Sequence, residues 1–385
     1  MRSEPPSWRS WNPARASEHT VRTRLMRWDI FCRVIDNYGD AGVCWRLAAD
    51  LNRRGVNVRL YIDAPAVLDQ LIDQTTNEPT TEPKVQIRSW PDDREDFEPS
   101  DVADVVIEAF ACDPPPMYVA AMAKRSAAGN SPVWINLEYL SAEDWVGAHH
   151  KLSSPHPRYP LVKYFYFPGF TPDSGGLLRE SDVVTTIGND YVATDNSTRP
   201  LAIFLFCYEQ PALQDWIRAL DSAMLSVAPC PAADQLAKTD FVVPDGLNIR
   251  HLPFVPQSAF DAVLREHDLL FVRGEDSFVR AQWAGKPVFW HIYPQTGGTH
   301  LDKLRAFYDR YLDSDILTSA QREAFMGFML AWNGGAASGD CARLWPEILR
   351  MLPALQRNAV SWREKLLKQA DLVTQLQDFV ADLVK

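Results

Sequence analysis

Four carboxylates and one guanidinium stand in two short turns, spaced for acid–base work beside a phosphate. The first turn is Asp36-Asn-Tyr-Gly-Asp40, in which two carboxylates and a glycine follow an apolar run. Such a pair can hold a cationic acceptor, and one member can take a proton from it. Asp40 also stands where a helix should begin, so an N-cap is its structural alternative; Asp36 has no such alternative. The second turn is Arg273-Gly-Glu-Asp-Ser277. Arg273 offers a forked cation suited to a pyrophosphate. Asp276 or Ser277 can cap the helix that follows, whose free N–H groups then face a phosphate. A phosphate would repel Glu275, which points that residue to a sugar or an acceptor instead. The plain alternative is that these polar residues cap a helix and pair with one another.

Two weaker constellations accompany them. In His251-Leu-Pro-Phe-Val-Pro-Gln257, Phe254 can stack on a base and Gln257 can bond its edge, although core packing explains Phe254 equally well. In Tyr293-Pro-Gln-Thr-Gly-Gly-Thr-His300, the donors Gln295, Thr296 and His300 are within reach of a ligand, with a capped loop as the alternative. Asp313-Ser-Asp315 has the look of a metal pair but reads as a capping turn between helices. No Ser/His/Asp or Cys/His nucleophilic arrangement is present.

The elements around the turns form a pattern. Asp268 to Val272 is an apolar run of the kind a buried parallel strand needs, a helix closes at Gly285, and Pro287 to Ile292 is a second run. That is a βαβ unit, with its polar turn at the carboxyl end of a strand, where open α/β sheets bind ligands. The first turn has the same setting: strand Trp28 to Ile35, helix to about Arg54, Gly55 as the stop, and strand Val56 to Ile62. Further strands are expected at Val85–Trp90, Val102–Ile107, Val133–Leu137, Leu201–Phe206, Phe241–Val243 and Ile249–Leu252. A helix is expected from Pro211 to Leu225 and a last one from Ser361 to Val384. Residues 149–180 read as loop with interspersed aromatics.

Strands alternating with helices imply parallel sheets. The chain divides into a disordered extension, 1–26, a first Rossmann-like domain, 27–185, a second, 186–360, and a C-terminal helix, 361–385, able to pack back on the first. Neither half carries G-x-G-x-x-G or a P-loop, which disfavours a dinucleotide enzyme or an NTPase. Two facing halves would enclose a cleft.

Composition agrees. The 385 residues exceed one ordinary core and suit two domains. A net charge of −11 and no basic stripe disfavour nucleic acid. No apolar run approaches membrane-spanning length, and the start lacks the apolar core of a secretory signal, so a cytoplasmic location is expected. The six cysteines show no C-x-x-C spacing, and reduced core thiols are expected rather than zinc or disulfides.

Two long segments, Asp29 through Ala48 and Arg273 through Pro287, resemble the bacterial protein-arginine rhamnosyltransferases that modify translation elongation factor P. The resemblance extends from about residue 27 to the C-terminus, with Met26 as the expected usual start. It implies a GT-B glycosyltransferase with two facing Rossmann-like domains. It implies transfer of rhamnose from dTDP-β-L-rhamnose to an arginine nitrogen with inversion, without metal or other cofactor. The family's essential acids fall on Asp36, Asp40 and Glu275. Its donor pocket falls on Arg273, Asp276 and Ser277, with Tyr208, Phe254 and Gln257 as further members. The loop 294–300 is less acidic than the family pattern. In this frame Asp40 is the expected base, Asp36 orients, and Glu275 contacts the acceptor or the sugar. The remaining readings are another GT-B enzyme with a small acceptor or lipid, and a nucleotide-sugar-binding module that docks on a translation factor without catalysis.

Overall fold

Five of the six residues of β1 (Arg27–Cys32) are buried, as a strand covered on both faces requires. The computed structural model describes residues 26–36, 38–72, 84–92, 95–181, 183, 199–238 and 241–384. Apart from Met26, the extension expected to be disordered lies outside the described residues.

β1 is joined by β2 (Asn57–Ile62), β3 (Gln86–Ser89), β4 (Val105–Ala109), β5 (Val133–Leu137), β6 (Ser153–Pro155) and β7 (Val162–Tyr166). Their order is β3-β2-β1-β4-β5-β7-β6, parallel except for β6 at the edge. A second sheet contains β8 (Leu201–Leu205), β9 (Ala223–Val227), β10 (Leu247–His251), β11 (Leu269–Arg273) and β12 (Val288–His291). Its order is β10-β9-β8-β11-β12, parallel throughout. Among the parallel strands each order reverses once, between β1 and β4 and between β8 and β11. Those switch points open a crevice at the strands' carboxyl ends, and both polar turns stand there.

β11 is buried along its whole length, and its Phe271 ring stacks 4.3 Å from Phe289 and lies 4.6 Å from Trp216. Each such ring contributes roughly 2–3 kcal/mol by leaving water. This dry strand is the rigid base beneath the turn at Arg273.

The structure differs from the sequence reading in four elements. The helix expected from Pro211 to Leu225 covers only Leu213–Arg218, and Ala223–Val227 is a strand. A short apolar run has no period of its own, so its helix and strand forms look alike in sequence. Phe241–Val243 forms no strand: Val242 and Val243 are exposed, and the Gln214 side chain binds the Val242 backbone. The segment 149–180 contains β6 and β7, whose strand residues are largely half-exposed at the sheet edge. The single last helix is two, Leu352–Leu367 and Leu372–Leu383, because Asp371 caps the second by accepting the Thr374 N–H at 2.9 Å.

These last two helices lie against different halves. In the first, Trp362 packs on Phe307 and Tyr311 beside the second sheet. The second returns to the first sheet, with Phe379 against Tyr164 and Tyr166 and Asp371 bound to Arg54 at 2.8 Å. Among the described residues no helix is long and apolar enough to cross a membrane.

Candidate active site

The Asp36 turn is shaped by Asp40. Asp40 lies in the first turn of helix Tyr38–Arg53, and its Oδ2 accepts the N–H groups of Ile35 and Asp36, each at 2.8 Å. It therefore reaches back to the turn through Oδ2, in the manner of a cap. Gly39 is required next to it, since a Cβ there would stand 2.7 Å from Asp36 Oδ2. Burial pushes the Asp40 carboxyl above its ordinary pKa, opposed by those two N–H bonds.

Asp36 meets the other domain. Its Oδ2 accepts the Tyr208 hydroxyl at 2.5 Å, from the segment after β8. The Arg273 guanidinium lies 4.6 Å from the Phe206 ring centre and 4.8 Å from that of Tyr208, so three side chains of the second domain form one stack behind Asp36. Burial raises the Asp36 pKa, Tyr208 and Arg273 oppose the rise, and Asp40 adds to it.

Gly274 completes this junction. Its φ of +58° lies in the left-handed region that favours glycine, and a Cβ would stand 2.7 Å from Asp36 Oδ2 and 2.9 Å from the Tyr208 hydroxyl. Its carbonyl accepts Trp290 Nε1–H at 2.7 Å. Gly274→Ala is expected to lower kcat/KM by about a hundredfold, because ångström-scale misplacement of a reacting group costs that much. Steady-state kinetics checks it, and a loss under threefold would refute the packing argument.

Glu275 sits on the next residue, where both carboxylate oxygens accept the Leu140 N–H at 3.1 Å from beyond β5. Burial pushes its carboxyl up to about 8, against the Leu140 bond and Lys303, with Asp40 and Asp36 adding to the rise. The three acids thus share one field across the cleft.

The capping role expected for Asp276 or Ser277 is not seen. Glu275 takes the N-cap position of helix Asp276–Ala284, and no side chain bonds to that helix end. The Ser277 hydroxyl is turned back, donating to the Arg273 carbonyl at 2.5 Å and accepting the Arg273 N–H at 3.2 Å. Asp276 instead accepts Gln257 Nε2 at 2.8 Å and Arg46 Nη1 at 2.9 Å. Arg46, from the first domain, also forms a two-bond pair with Glu180, both at 2.6 Å. Against the upward push of burial, Arg46 holds the Glu180 carboxyl well below the usual carboxylate range.

Two cavities meet at Asp36. One, of about 270 Å³, is lined by Phe206, Leu252, Phe254, Phe260 and other apolar groups, with Gln257, Arg273, Asp276 and Ser277 on its polar side. Phe254 is exposed there, its ring centre 5.3 Å from that of Tyr38, while Gln257 Oε1 is buried without a partner among the described residues. The other, of about 230 Å³, holds Asp36, Asp40 and Glu275 together with Phe110, Tyr139, Tyr293, Gln295 and Lys303. Every acid and donor-pocket residue expected from the sequence therefore lies in or beside this pair of cavities. His300 Nδ1 only accepts the Gln295 N–H at 3.3 Å, and Asp313 is a turn residue that accepts the Asp315 N–H at 2.9 Å.

Sequence reasoning missed Arg46, Phe110, Tyr139 and Lys303. Arg46 lay inside the quoted Asp29–Ala48 segment but looked like an ordinary helix-surface residue. The other three follow strand ends or a loop, with no spacing to mark them. Among the described residues no group of three or more His, Cys, Asp or Glu is arranged to hold a metal ion.

Comparisons with known proteins bear on the family and the fold. A family model for the elongation-factor P (EF-P) rhamnosyltransferase EarP matches residues 28–381. A protein-arginine rhamnosyltransferase of Pseudomonas aeruginosa is 40% identical, over 93% of this chain and 100% of its own. One from Neisseria meningitidis serogroup B is 35% identical, over 91% and 96%. A solved structure that gives the structural basis for EarP-mediated arginine glycosylation of EF-P is 30% identical, with a TM-score of 0.61, over 93% of this chain and 99% of that one. The Arabidopsis thaliana glycosyltransferase UGT89C1 shares the architecture at a TM-score of 0.53 and 12% identity, over 93% and 99%. The two parallel α/β sheets are thus those of a GT-B glycosyltransferase. The chain belongs to the EarP family of protein-arginine rhamnosyltransferases.

Proposed function

We propose that this enzyme transfers L-rhamnose from dTDP-β-L-rhamnose to a side-chain nitrogen of an arginine in elongation factor P, with inversion, in the cytoplasm and without a metal. The observation that carries this reading is the position of Asp36, in the wall common to both cavities. The apolar cavity suits a thymidine group: Phe254 offers a face for the base, and Gln257 Oε1 an acceptor for its N–H. Across Asp36, three carboxylates suit a cation. Rhamnose then sits between them.

Each residue has a step. A guanidinium is a poor nucleophile because its pKa exceeds about 12 and its charge is delocalised. Asp36 and Glu275 hold it through its N–H groups, and Asp40 Oδ1 takes the proton. The freed lone pair attacks the anomeric carbon as the carbon–oxygen bond to the diphosphate breaks on the opposite face. The product guanidinium keeps its positive charge, and the diphosphate leaves with the bonding pair. Arg273 and the N–H groups of helix Asp276–Ala284 supply the positive charge the leaving group needs. Elevated carboxyl pKa values make stronger bases than surface carboxylates would be.

Incubation with dTDP-rhamnose and elongation factor P is expected to add one deoxyhexose to the acceptor arginine, as read by mass spectrometry. Asp40→Asn is expected to reduce that rate by about a thousandfold. An unchanged acceptor mass with the wild type sinks the function, and an undiminished rate in Asp40→Asn sinks the mechanism.

A further inference from the structure

Phe110 comes directly after β4 and Tyr139 two residues after the end of β5, and both line the cavity that holds the three acids. Their rings stack with centroids 4.4 Å apart and planes 15° apart. The backbone is strained to place them. Phe110 has a φ of +58° and Ala111 of +54°, a region that side-chain-bearing residues occupy at a cost of about 1–3 kcal/mol each. Three bonds hold this turn: Phe110 N–H to the Leu137 carbonyl at 2.7 Å, Ala111 N–H to Asn136 Oδ1 at 3.1 Å and Cys112 N–H to the Ala109 carbonyl at 3.2 Å. Lys303 Nζ lies 5.8 Å from the Tyr139 ring centre, so this ring already meets a cation. The Tyr139 hydroxyl resists ionisation, chiefly through burial and then through Asp40, Glu275 and Asp36, which places it within the field of all three acids.

We propose that the Phe110–Tyr139 pair is the platform on which the acceptor guanidinium stacks, with the carboxylates taking its N–H edge. The inference rests on the reading of an arginine acceptor. A guanidinium is flat and delocalised: its edge suits carboxylates and its face suits an aromatic ring. Carboxylates alone draw any cation, a lysine ammonium included. A flat apolar face adds what an ammonium cannot use equally well, and so selects arginine. The strained turn has a reason on this account, because relaxing it would withdraw the Phe110 ring from the cavity.

The test is steady-state kinetics of the full chain with dTDP-rhamnose and elongation factor P, resolving the KM of each substrate. Phe110→Leu and Tyr139→Leu are expected to raise the acceptor KM about tenfold, the scale of a desolvated cation–π contact, and to leave the donor KM within about twofold. Tyr139→Phe keeps the ring and is expected to leave the acceptor KM within about twofold of wild type. Normal wild-type turnover with an unchanged acceptor KM in both leucine variants overturns the platform alone. So do equal rises in both KM values, or a Tyr139→Phe value that matches Tyr139→Leu. A wild type that leaves the acceptor unmodified overturns the arginine-acceptor reading and the platform with it.

Discussion

Glu275→Gln is expected to lower kcat by about a thousandfold, the scale of losing one aligned charge in a transition state, while making the protein more stable at alkaline pH. The first effect follows from position: Glu275 shares its cavity with Asp36 and Asp40 and faces both the sugar and the guanidinium in the proposed complex. The second follows from linkage. Its carboxyl, ordinarily near 4.5, stands at about 8 in the folded chain because burial disfavours the charge. Between those pH values the folded chain holds a proton that the unfolded chain has lost, so this group's contribution to stability falls as pH rises through that window. Below 4.5 both states are protonated and the difference disappears. Glutamine has no proton to lose. The variant should gain roughly 2–4 kcal/mol over wild type at pH 9 and almost nothing near pH 4. Calorimetry across that range checks it; equal melting temperatures at pH 9 would refute the burial argument. The same titration should give kcat/KM an acidic limb, with activity rising as the acid cluster ionises.

Arg46→Met should destabilise the domain junction by about 3–5 kcal/mol, because it removes the two-bond partner of a buried carboxylate. Arg46 and Glu180 are both buried and joined by two bonds, and Asp276 leans on the same guanidinium. Removing that cation leaves the buried Glu180 with Arg280 3.9 Å away, and the partly buried Asp276 with Arg280 at 3.6 Å and Gln257 at 2.8 Å. Adding Glu180→Gln to Arg46→Met should recover part of the loss, since a neutral amide costs less to bury than an unpaired carboxylate. Donor KM should rise too, because Asp276 also positions Gln257. Chemical denaturation of the two variants checks the order; a double variant no more stable than the single would refute it.

Much of this was legible in the chain. Apolar runs followed by polar turns revealed the βαβ units at Asp36 and Arg273, because a parallel strand buried on both faces leaves a continuous signature. Asp36, Asp40 and Glu275 stood out because acids at strand ends have few structural uses. The chemistry of a turn is local, and sequence is local. The partners of those acids were not legible. Tyr208 meets Asp36 across 172 residues of chain, and Arg46 meets Asp276 across 230. The turn of Ser277 toward the Arg273 backbone was equally hidden, since a serine after a strand can bond forward or back. Phe110 gave no sign of its left-handed backbone, because nothing in its side chain asks for one.

The peptide passes from the first sheet to the second between Tyr166 and Leu201, and it returns between Leu367 and Leu372, where the last helix settles on Arg54, Tyr164 and Tyr166. A body attached to another at two separate points keeps mainly one way to move: it swings about the line through both attachments, as a door does on a pair of pins. A swing about that line would open and shut the crevice that holds Glu275 and Asp40.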